Sequence, residues 1–277
     1  MSKKNLPSLL STVAPASLVF LFSLIAAPAM AQISDMPDDL TDVAADRSVT
    51  YLDIGAAILS RPVYLGSDDR AENIIPYFDG EYKGRFFIKP ALGAGVHLIN
   101  NNRIRLSGGI GYAYGRQADE SDSLSARGVE DIDDALTANG GFRVITPVGV
   151  IDSLVSVPFT GNQEGLTANV AAITQISPSK NWRINPGARI SLRNGESSEQ
   201  FYGAPGSTFA GGFDGGSSYS ASAFAVSYYT IGETPSNRGW DIIGLVEYSQ
   251  LLGDVRDSLF VERDGGFTAT LGVAKKF

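Results

Sequence analysis

The end of the chain places the strongest constraint on its fold. From Phe267 to Phe277, apolar side chains occupy alternate positions over most of the segment, small or hydroxyl residues lie between them, and the last residue is a phenylalanine. A strand of a transmembrane β-barrel has this two-residue period, because one face meets lipid and the other meets the lumen. A strand of a soluble β-sandwich alternates in the same way, so other features of the chain must distinguish the two.

Apolar residues are abundant but are spread along the chain. They make up 43% of the residues, yet no segment after the N-terminal region contains 18 of them in succession. Such a chain crosses a bilayer only as a closed barrel, because unpaired backbone groups are costly in lipid. We therefore predict an all-β protein, a single antiparallel transmembrane β-barrel, with Phe277 as its membrane-insertion signal.

The N-terminus has the features of a secretory signal peptide. Lys3 and Lys4 precede a mostly apolar segment at 18–27, and Ala29–Ala31 form an A-x-A cleavage site. We predict cleavage after Ala31 and export to the outer membrane of a Gram-negative bacterium. The chain has no cysteine, so backbone pairing and burial must stabilise it without disulfides.

The charge of the exported chain excludes one class of partner. Residues 1–31 contain two lysines and no acid, so their removal changes the formal net charge from −8 to −10. Nucleic acid requires a basic surface, and we predict no such partner. The predicted environment is outer-membrane lipid and lipopolysaccharide.

The exported chain divides into two parts. Residues 32–48 are acidic and have no hydrophobic period, and we interpret them as a flexible periplasmic leader; residues 49–277 form the barrel. Eleven segments have the length of tilted transmembrane strands: 49–59, 74–82, 85–96, 103–115, 135–145, 151–160, 165–176, 182–193, 219–230, 239–250 and 266–277. A bacterial barrel has an even number of strands, so we predict twelve, with ten as the alternative.

The odd number of predicted strands indicates an error in the strand assignment near the start of the barrel. If Phe277 is periplasmic, long connections fall outside and short ones inside as far back as Arg103. Before that residue the scheme fails. Either one strand is missing between Asp42 and Asn73, or two early segments are wrongly assigned, and the side on which residues 61–73 lie stays open.

Charged residues recur on the predicted lumen faces of several strands. The candidate lumen charges are Arg103, Arg105, Arg143, Arg183, Arg189, Arg193, Asp241 and Glu247. Such charges would suit selective passage of small charged solutes. The same residues would equally suit paired ions that fill a narrow, closed interior.

Two other candidate sites have ordinary structural interpretations. Pro62, Tyr64, Gly66 and Ser67 indicate a loop that docks a partner or plugs the lumen, or simply a turn that ends a strand. The acids between Asp119 and Asp134 would suit divalent cations, but they lack the spacing of a calcium loop, and we interpret them as solvated.

The sequence gives little support for catalysis. His97 is the only histidine, no cysteine is present, and no G-x-S-x-G motif occurs. A barrel hydrolase would have to pair His97 with Ser107 or an aspartate, since a triad is defined by geometry. We predict no enzyme activity, no metal and no cofactor.

Several short motifs, taken in order, resemble those of the MipA/OmpV family. They are Arg61–Ser67, Pro76–Tyr82 leading into Arg85–Phe87, Leu124–Asp134 after Tyr114–Arg116, Phe201–Gly203 and Leu251–Ser258. The resemblance extends over the whole mature chain. It rests on the order and spacing of these motifs, because each is weak alone.

The resemblance implies an outer-membrane scaffold in murein synthesis. A member of this family would link a lytic transglycosylase with a bifunctional penicillin-binding protein. The alternatives are a small-solute channel and a surface receptor or adhesin.

Overall fold

The computed structural model describes residues 50–90, 92–127, 129–203, 213, 216–233 and 238–277. The predicted signal peptide, 1–31, and the predicted leader, 32–48, lie outside the described residues. The described chain forms one antiparallel sheet with two short α-helices and two 3₁₀ turns.

Thirteen strand segments make up the sheet. They are β1 (Tyr51–Pro62), β2 (Arg70–Tyr82), β3 (Phe86–Lys89), β4 (Gly93–Asn100), β5 (Ile104–Ala113), β6 (Ala135–Thr146), β7 (Gly149–Pro158), β8 (Thr167–Ile173), β9 (Ile176–Ser179), β10 (Trp182–Arg193), β11 (Ser218–Ile231), β12 (Trp240–Leu252) and β13 (Gly265–Lys276).

The sheet closes on itself as a barrel of twelve strands. Apart from the short β9, each strand pairs with the next one along the chain, and β1 pairs with β13 to close the ring. The segments β8 and β9 lie end to end along β10, which pairs with β8 over 187–193 and with β9 at 182–184. They therefore occupy one position in the wall, and the prediction of twelve strands is confirmed.

The missing strand lies inside the predicted segment 85–96. This segment is a hairpin in which β3 extends over four residues and β4, which begins at Gly93, runs back along it. The sequence assignment was wrong here because the apolar residues continue across the turn. No extra strand is needed before Asn73: β1 enters from the end that holds Phe277, and residues 63–69 connect β1 and β2 at the other end.

Short turns lie at one end of the barrel and long connections at the other. Bacterial barrels place short turns in the periplasm and long loops outside, which makes the end holding Tyr51 and Phe277 periplasmic. The turn between β2 and β3 shows how local sequence sets this end. Lys83 and Gly84 both have positive φ, at 53° and 61°, as a two-residue hairpin turn requires.

The faces of the wall follow the alternation in the sequence. In β13, Phe267, Leu271 and Val273 are exposed, while Thr268 and Thr270 are buried toward the lumen. This assignment places the apolar side chains against the hydrocarbon of the membrane. None of the helices in the described residues has the length and apolarity to span a membrane.

The long connections carry the helices. Helix α1 (Asp122–Arg127) and a 3₁₀ turn (Ala118–Glu120) lie between β5 and β6, and helix α2 (Gly195–Tyr202) follows β10. A second 3₁₀ turn (Gly253–Asp257) follows β12. Asn194 caps α2, because its side-chain oxygen accepts hydrogen bonds from the backbone N–H groups of Ser197 (3.2 Å) and Leu166 (2.9 Å).

Candidate functional sites: an extracellular cap and a filled lumen

The extracellular loops fold onto one another and form a cap. We use "cap" for the described parts of 61–69, 114–134, 194–203 and 253–264. Buried apolar side chains from all of these loops, together with Leu251 of β12, make one cluster: Val63, Tyr64, Leu124, Val129, Ile132, Phe201, Tyr202, Leu251, Val255 and Phe260. The cap therefore has a hydrophobic core of its own.

The loop between β1 and β2 is docked rather than solvated. The Tyr64 hydroxyl donates to the carbonyl of Phe260 at 2.6 Å. Gly66 has a φ of +115°, and its carbonyl accepts hydrogen bonds from the backbone of Glu262 and Arg263 at 2.7 and 3.1 Å. Ser67 closes the turn by donating its N–H to the carbonyl of Tyr64 at 2.9 Å. Pro62 ends β1 at the rim of the cavity described below.

Arg116 joins two loops from inside the cap. Its side chain is only 1% exposed, and it donates to the carbonyl of Phe201. Its guanidinium also lies 5.7 Å from the centre of the Tyr64 ring, which is within the range of a cation–π contact. Burial lowers the pKa of Arg116.

Acids in the cap accept hydrogen bonds from the backbone. Asp131 accepts the N–H of Ala118 at 2.7 Å, and Asp134 accepts the N–H of Gly115 at 2.8 Å. A separate acidic group, Asp68, Asp69 and Glu262, brings one oxygen of each residue within 4.8 Å of the others. This group lies mostly in solvent, where grouped acids are common without a cation.

The lumen contains a large apolar cluster. Buried side chains from most of the wall take part, among them Leu59, Ile75, Tyr77, Val150, Ile173, Phe224, Val226, Tyr228, Ile243 and Leu245. The alternation in the sequence did not indicate these residues, because the inner face of each predicted strand was interpreted as wet. The sequence feature that could have indicated this cluster is a continuous run of apolar residues, which is typical of a strand buried on both faces.

Six of the eight candidate lumen charges lie in ion pairs among the described residues, five of them in the three groups that follow. Arg143 contacts Asp152 through two hydrogen bonds, the longer of 2.7 Å. Arg189 contacts Glu247 at 3.2 Å, both residues being almost fully buried. Asp241 contacts Arg183 at 3.6 Å and Lys276 at 3.3 Å.

The remaining candidate charges differ in their surroundings. Arg105, the sixth paired charge, is buried and forms an ion pair with Glu81 at 3.7 Å. Arg193 lies over the ring of Phe201 at 4.2 Å and donates to Ser197 at 3.3 Å. Arg103 is not on the lumen face: it lies in the turn before β5 and is exposed at the periplasmic rim. The strand begins one residue later than the alternation suggested, because the side chain of Asn101 accepts the N–H groups of Arg103 and Ile104 and so forms a turn.

A buried lysine is another group that sequence reasoning missed. Lys89 is 2% exposed and forms an ion pair with Asp79 at 2.9 Å. Tyr51 also donates to Asp79, at 2.9 Å. The only sequence feature that could have indicated this buried ion pair is a lysine within an apolar strand, directly before Pro90.

The single histidine lies in a buried polar group. His97 Nδ1 is 2.7 Å from Ser107 Oγ, and His97 Nε2 is 3.5 Å from Glu81. The Phe87 ring stacks on the imidazole with a centroid distance of 4.6 Å. Ser107, His97 and Glu81 are arranged in space in the order of a nucleophilic triad. However, these residues do not line the cavity below the cap.

One cavity of about 220 Å³ lies in the upper lumen beneath the cap. Its walls combine hydroxyl groups, aromatic rings and two guanidinium groups. Lining residues include Tyr112, Tyr114, Asn139, Arg189, Ser191, Arg193, Phe201, Ser220, Glu247 and Thr268. The volume suits a small polar solute or several water molecules.

Comparison with known proteins gives a family and distant structural neighbours. The family model for "MltA-interacting protein MipA" matches residues 54–277. A search of the curated proteins found no match.

Three solved structures illustrate the structural neighbours. The Neisserial surface protein A is 14% identical, with a TM-score of 0.29 over 82% of this chain and 97% of its own. The NanC porin is 7% identical, with a TM-score of 0.38 over 83% and 100%. A Pseudomonas aeruginosa FadL homologue is 8% identical, with a TM-score of 0.42 over 90% and 96%.

Proposed function

The chain belongs to the MltA-interacting protein MipA family, and on that basis we propose that this outer-membrane barrel is a non-enzymatic scaffold. In this proposal it binds a lytic transglycosylase at its periplasmic end and brings it to a bifunctional penicillin-binding protein. The description of the family names the first interaction, and the second comes from the resemblance set out above.

The observation that carries the proposal is the filled lumen. An apolar cluster crosses the interior, and buried arginines pair with Asp152, Asp241 and Glu247. A channel for charged solutes needs a continuous wet path whose charges are available to the solute. A filled and capped barrel suits a rigid support whose binding surfaces lie at its two ends.

The charge of the periplasmic end favours an acidic partner surface. Five exposed basic residues lie in its turns, Lys83, Arg85, Arg103, Lys180 and Arg238, against one exposed acid, Glu233, among the described turn residues. The chain as a whole has a formal net charge of −8, so this end is opposite in sign to the average. Complementary charge speeds and orients protein association.

The proposal is tested by purification from cross-linked envelopes. A tag in the exposed extracellular turn at 160–161, away from the proposed binding surface, recovers the protein after gentle solubilisation, and mass spectrometry identifies what accompanies it. We expect a lytic transglycosylase and a penicillin-binding protein to be enriched over an unrelated barrel protein treated identically. If neither is enriched, the scaffold function is wrong for this chain.

Charge reversal locates the surface. Arg103→Glu combined with Lys180→Glu should reduce recovery of the transglycosylase while the barrel stays inserted. Arg256→Glu is the matched control, because Arg256 is an exposed arginine in the cap at the opposite end. Equal loss with both variants would contradict binding at the periplasmic rim.

The cavity below the cap favours one other function, passage or capture of a small polar solute. Arg189 and Arg193 both line it. Conductance in planar bilayers separates the two functions: current through the wild-type barrel that changes selectivity in Arg193→Gln would support the channel. An electrically silent barrel would support the scaffold.

A further inference from the structure

The wall of the barrel is incomplete between β2 and β5. The hairpin of β3 and β4 should fill this part of the wall, but β3 has only four residues. It pairs with β2 only at Gly80, Glu81 and Tyr82. In the described residues, no strand pairs with this edge of β2 from Glu72 to Phe78.

A proline lies on the open edge. Phe277 donates its N–H to the carbonyl of Leu52, so even-numbered residues of β1 point toward β13 and odd-numbered ones toward β2. The register pairs Ala57 with Ile75, which leaves Pro76 facing away from β1. Proline is tolerated in strands where its missing N–H faces an open edge.

The missing part of the hairpin is folded into the lumen. Leu92, at the hairpin tip, accepts a hydrogen bond from the side chain of Asn139 on β6 at 3.2 Å. Two glycines make room for it. A Cβ at Gly109 would lie 3.0 Å from the carbonyl oxygen of Leu92, and one at Gly141 would lie 2.7 Å from its side chain.

This gap in strand pairing, which we call the opening, is bounded on all sides. β2 and β5 flank it, and the β3–β4 hairpin forms its lower edge. The cap covers its upper edge, since Ala71 packs against the cap cluster and Asp122 N–H donates to Asp69 at 3.2 Å. The part of this β2 edge that is level with lipid, from Ile74 to Phe78, is about 15 Å long at the usual rise of a strand.

Lipid is the neighbour of this opening. Ile74 on β2 and Ile110 on β5 are both largely exposed on the outer surface of the wall, at 74% and 56%, as side chains in the hydrocarbon region are. On the inner side, Ile75, Tyr77 and Tyr114 belong to the apolar lumen cluster, against which Tyr112 packs. Tyr112 and Tyr114 also line the cavity below the cap.

We propose that this gap in strand pairing is a lateral window that side chains close in this structure, where Ile75 is 1% exposed, and that an acyl chain of an outer-leaflet lipid parts them to pack against Ile75 and the neighbouring tyrosines. An acyl chain fits because the surrounding side chains are apolar or aromatic and it needs no hydrogen bonds. An added peptide strand fits less well, because Pro76 removes a donor from the middle of the edge that such a strand would pair with.

The window is tested with single cysteines, since the chain has none of its own. Ile75→Cys places a thiol behind the window. Ile243→Cys is the matched control, because Ile243 belongs to the same cluster, is equally buried (2% against 1%), and lies on β12, which is paired along both edges. Each protein is reconstituted in phosphatidylcholine vesicles with a maleimide attached to an acyl chain, and its mass is then measured.

We expect Ile75→Cys to gain the mass of one reagent and Ile243→Cys to gain none. If neither reacts, the window is closed to lipid; if both react, the whole lumen is accessible. Modification of Ile75→Cys by a charged, water-soluble maleimide alone would mean an opening to water. Each of these three results overturns the proposal.

A second measurement uses the unaltered protein and does not depend on the folding of the variants. Native mass spectrometry of the full chain, extracted from cell envelopes in mild detergent, should show a bound species with the mass of an acylated lipid. A bound species with the mass of a peptide would assign the edge to strand addition and overturn lipid occupancy. A protein that carries neither would also overturn it.

Discussion

The guanidinium of Arg116 donates a hydrogen bond to the backbone carbonyl of Phe201, 85 positions later in the chain. The two residues belong to different extracellular loops. Since the guanidinium is buried and its partner is a main-chain atom, the contact fixes the path of the second loop rather than the rotamer of one side chain. It is the clearest tie that holds the cap together.

Arg116→Leu should loosen the cap without unfolding the barrel. A hydrogen bond to a charged group contributes about 1.5–3 kcal/mol, and the carbonyl of Phe201 would lose its donor. We expect faster cleavage of the loops by external protease, with the heat-modifiable mobility of the folded barrel retained. Arg256→Leu is the control, because its ion pair with Asp264 is long and exposed; equal cleavage of both variants would contradict the assigned role.

Alkaline pH should open the cap through Tyr202. Burial raises the pKa of this tyrosine above its ordinary value of 10.0, although Arg193 and Arg116 oppose the shift. The stabilisation is therefore complete below about pH 10 and is lost as the pH rises through the raised pKa of the folded state. Protease sensitivity of the cap should increase in that range, and Tyr202→Phe, which cannot ionise, should show a smaller increase.

The ion pair of Arg189 and Glu247 should show strong coupling. Removing one partner leaves the other charge buried and costs about 3–5 kcal/mol, whereas replacing both with apolar residues is often close to neutral. We expect Arg189→Met and Glu247→Leu each to lower the denaturant midpoint of the barrel, and the double variant to recover much of the loss. Additive losses would mean that the two charges are independently solvated.

Two adjacent glycines on β5 should respond differently to alanine. A Cβ at Gly109 would meet the carbonyl oxygens of Ala94 and Leu92 at 2.9 and 3.0 Å, whereas one at Gly108 would meet nothing within 4 Å. Forcing extra volume into a packed site costs about 1–3 kcal/mol. Gly109→Ala should therefore destabilise the barrel in denaturant titration and Gly108→Ala should not; the reverse order would contradict the inward path of the hairpin tip.

Phe277→Ala should reduce assembly more than it reduces stability. The Phe277 side chain is exposed. Its N–H donates to the carbonyl of Leu52 at 2.9 Å, and its main-chain oxygen accepts from Arg238 at 3.0 Å. Alanine provides the same main-chain atoms. We expect less folded barrel in the outer membrane but an unchanged midpoint for the part that folds. Val148→Ala, at an exposed periplasmic turn, should leave the yield unchanged.

The strands of the wall were best predicted where contact with lipid requires an apolar residue at every second position. The alternation of β13 was readable because one face of the strand must be apolar in a membrane. The β3–β4 hairpin was missed because the apolar residues continue through the turn between β3 and β4. A fold that sends this turn into the lumen needs an apolar tip, and Leu92 therefore looks like a strand residue in the sequence.

The interior was less predictable than the wall. Charge types and spacing pointed to Arg143, Arg189 and Glu247, but only three-dimensional proximity shows that these charges are paired. The docking of the Tyr64 loop onto Phe260 was equally hidden, because the two residues are 196 positions apart. The apolar cluster in the lumen gave no periodic signal distinct from that of the outer face.

The cap has a consequence for how this protein and its relatives can differ. Four of the motifs by which the chain resembles its family, around Tyr64, Leu124, Phe201 and Leu251, meet there, about a membrane thickness away from the periplasmic turns. The motifs that identify the family would thus lie at the extracellular end of the barrel, and the residues that select a partner would lie at the periplasmic end. The periplasmic turns of a family member could therefore change in sequence to bind a new partner while the family motifs in the cap stay the same.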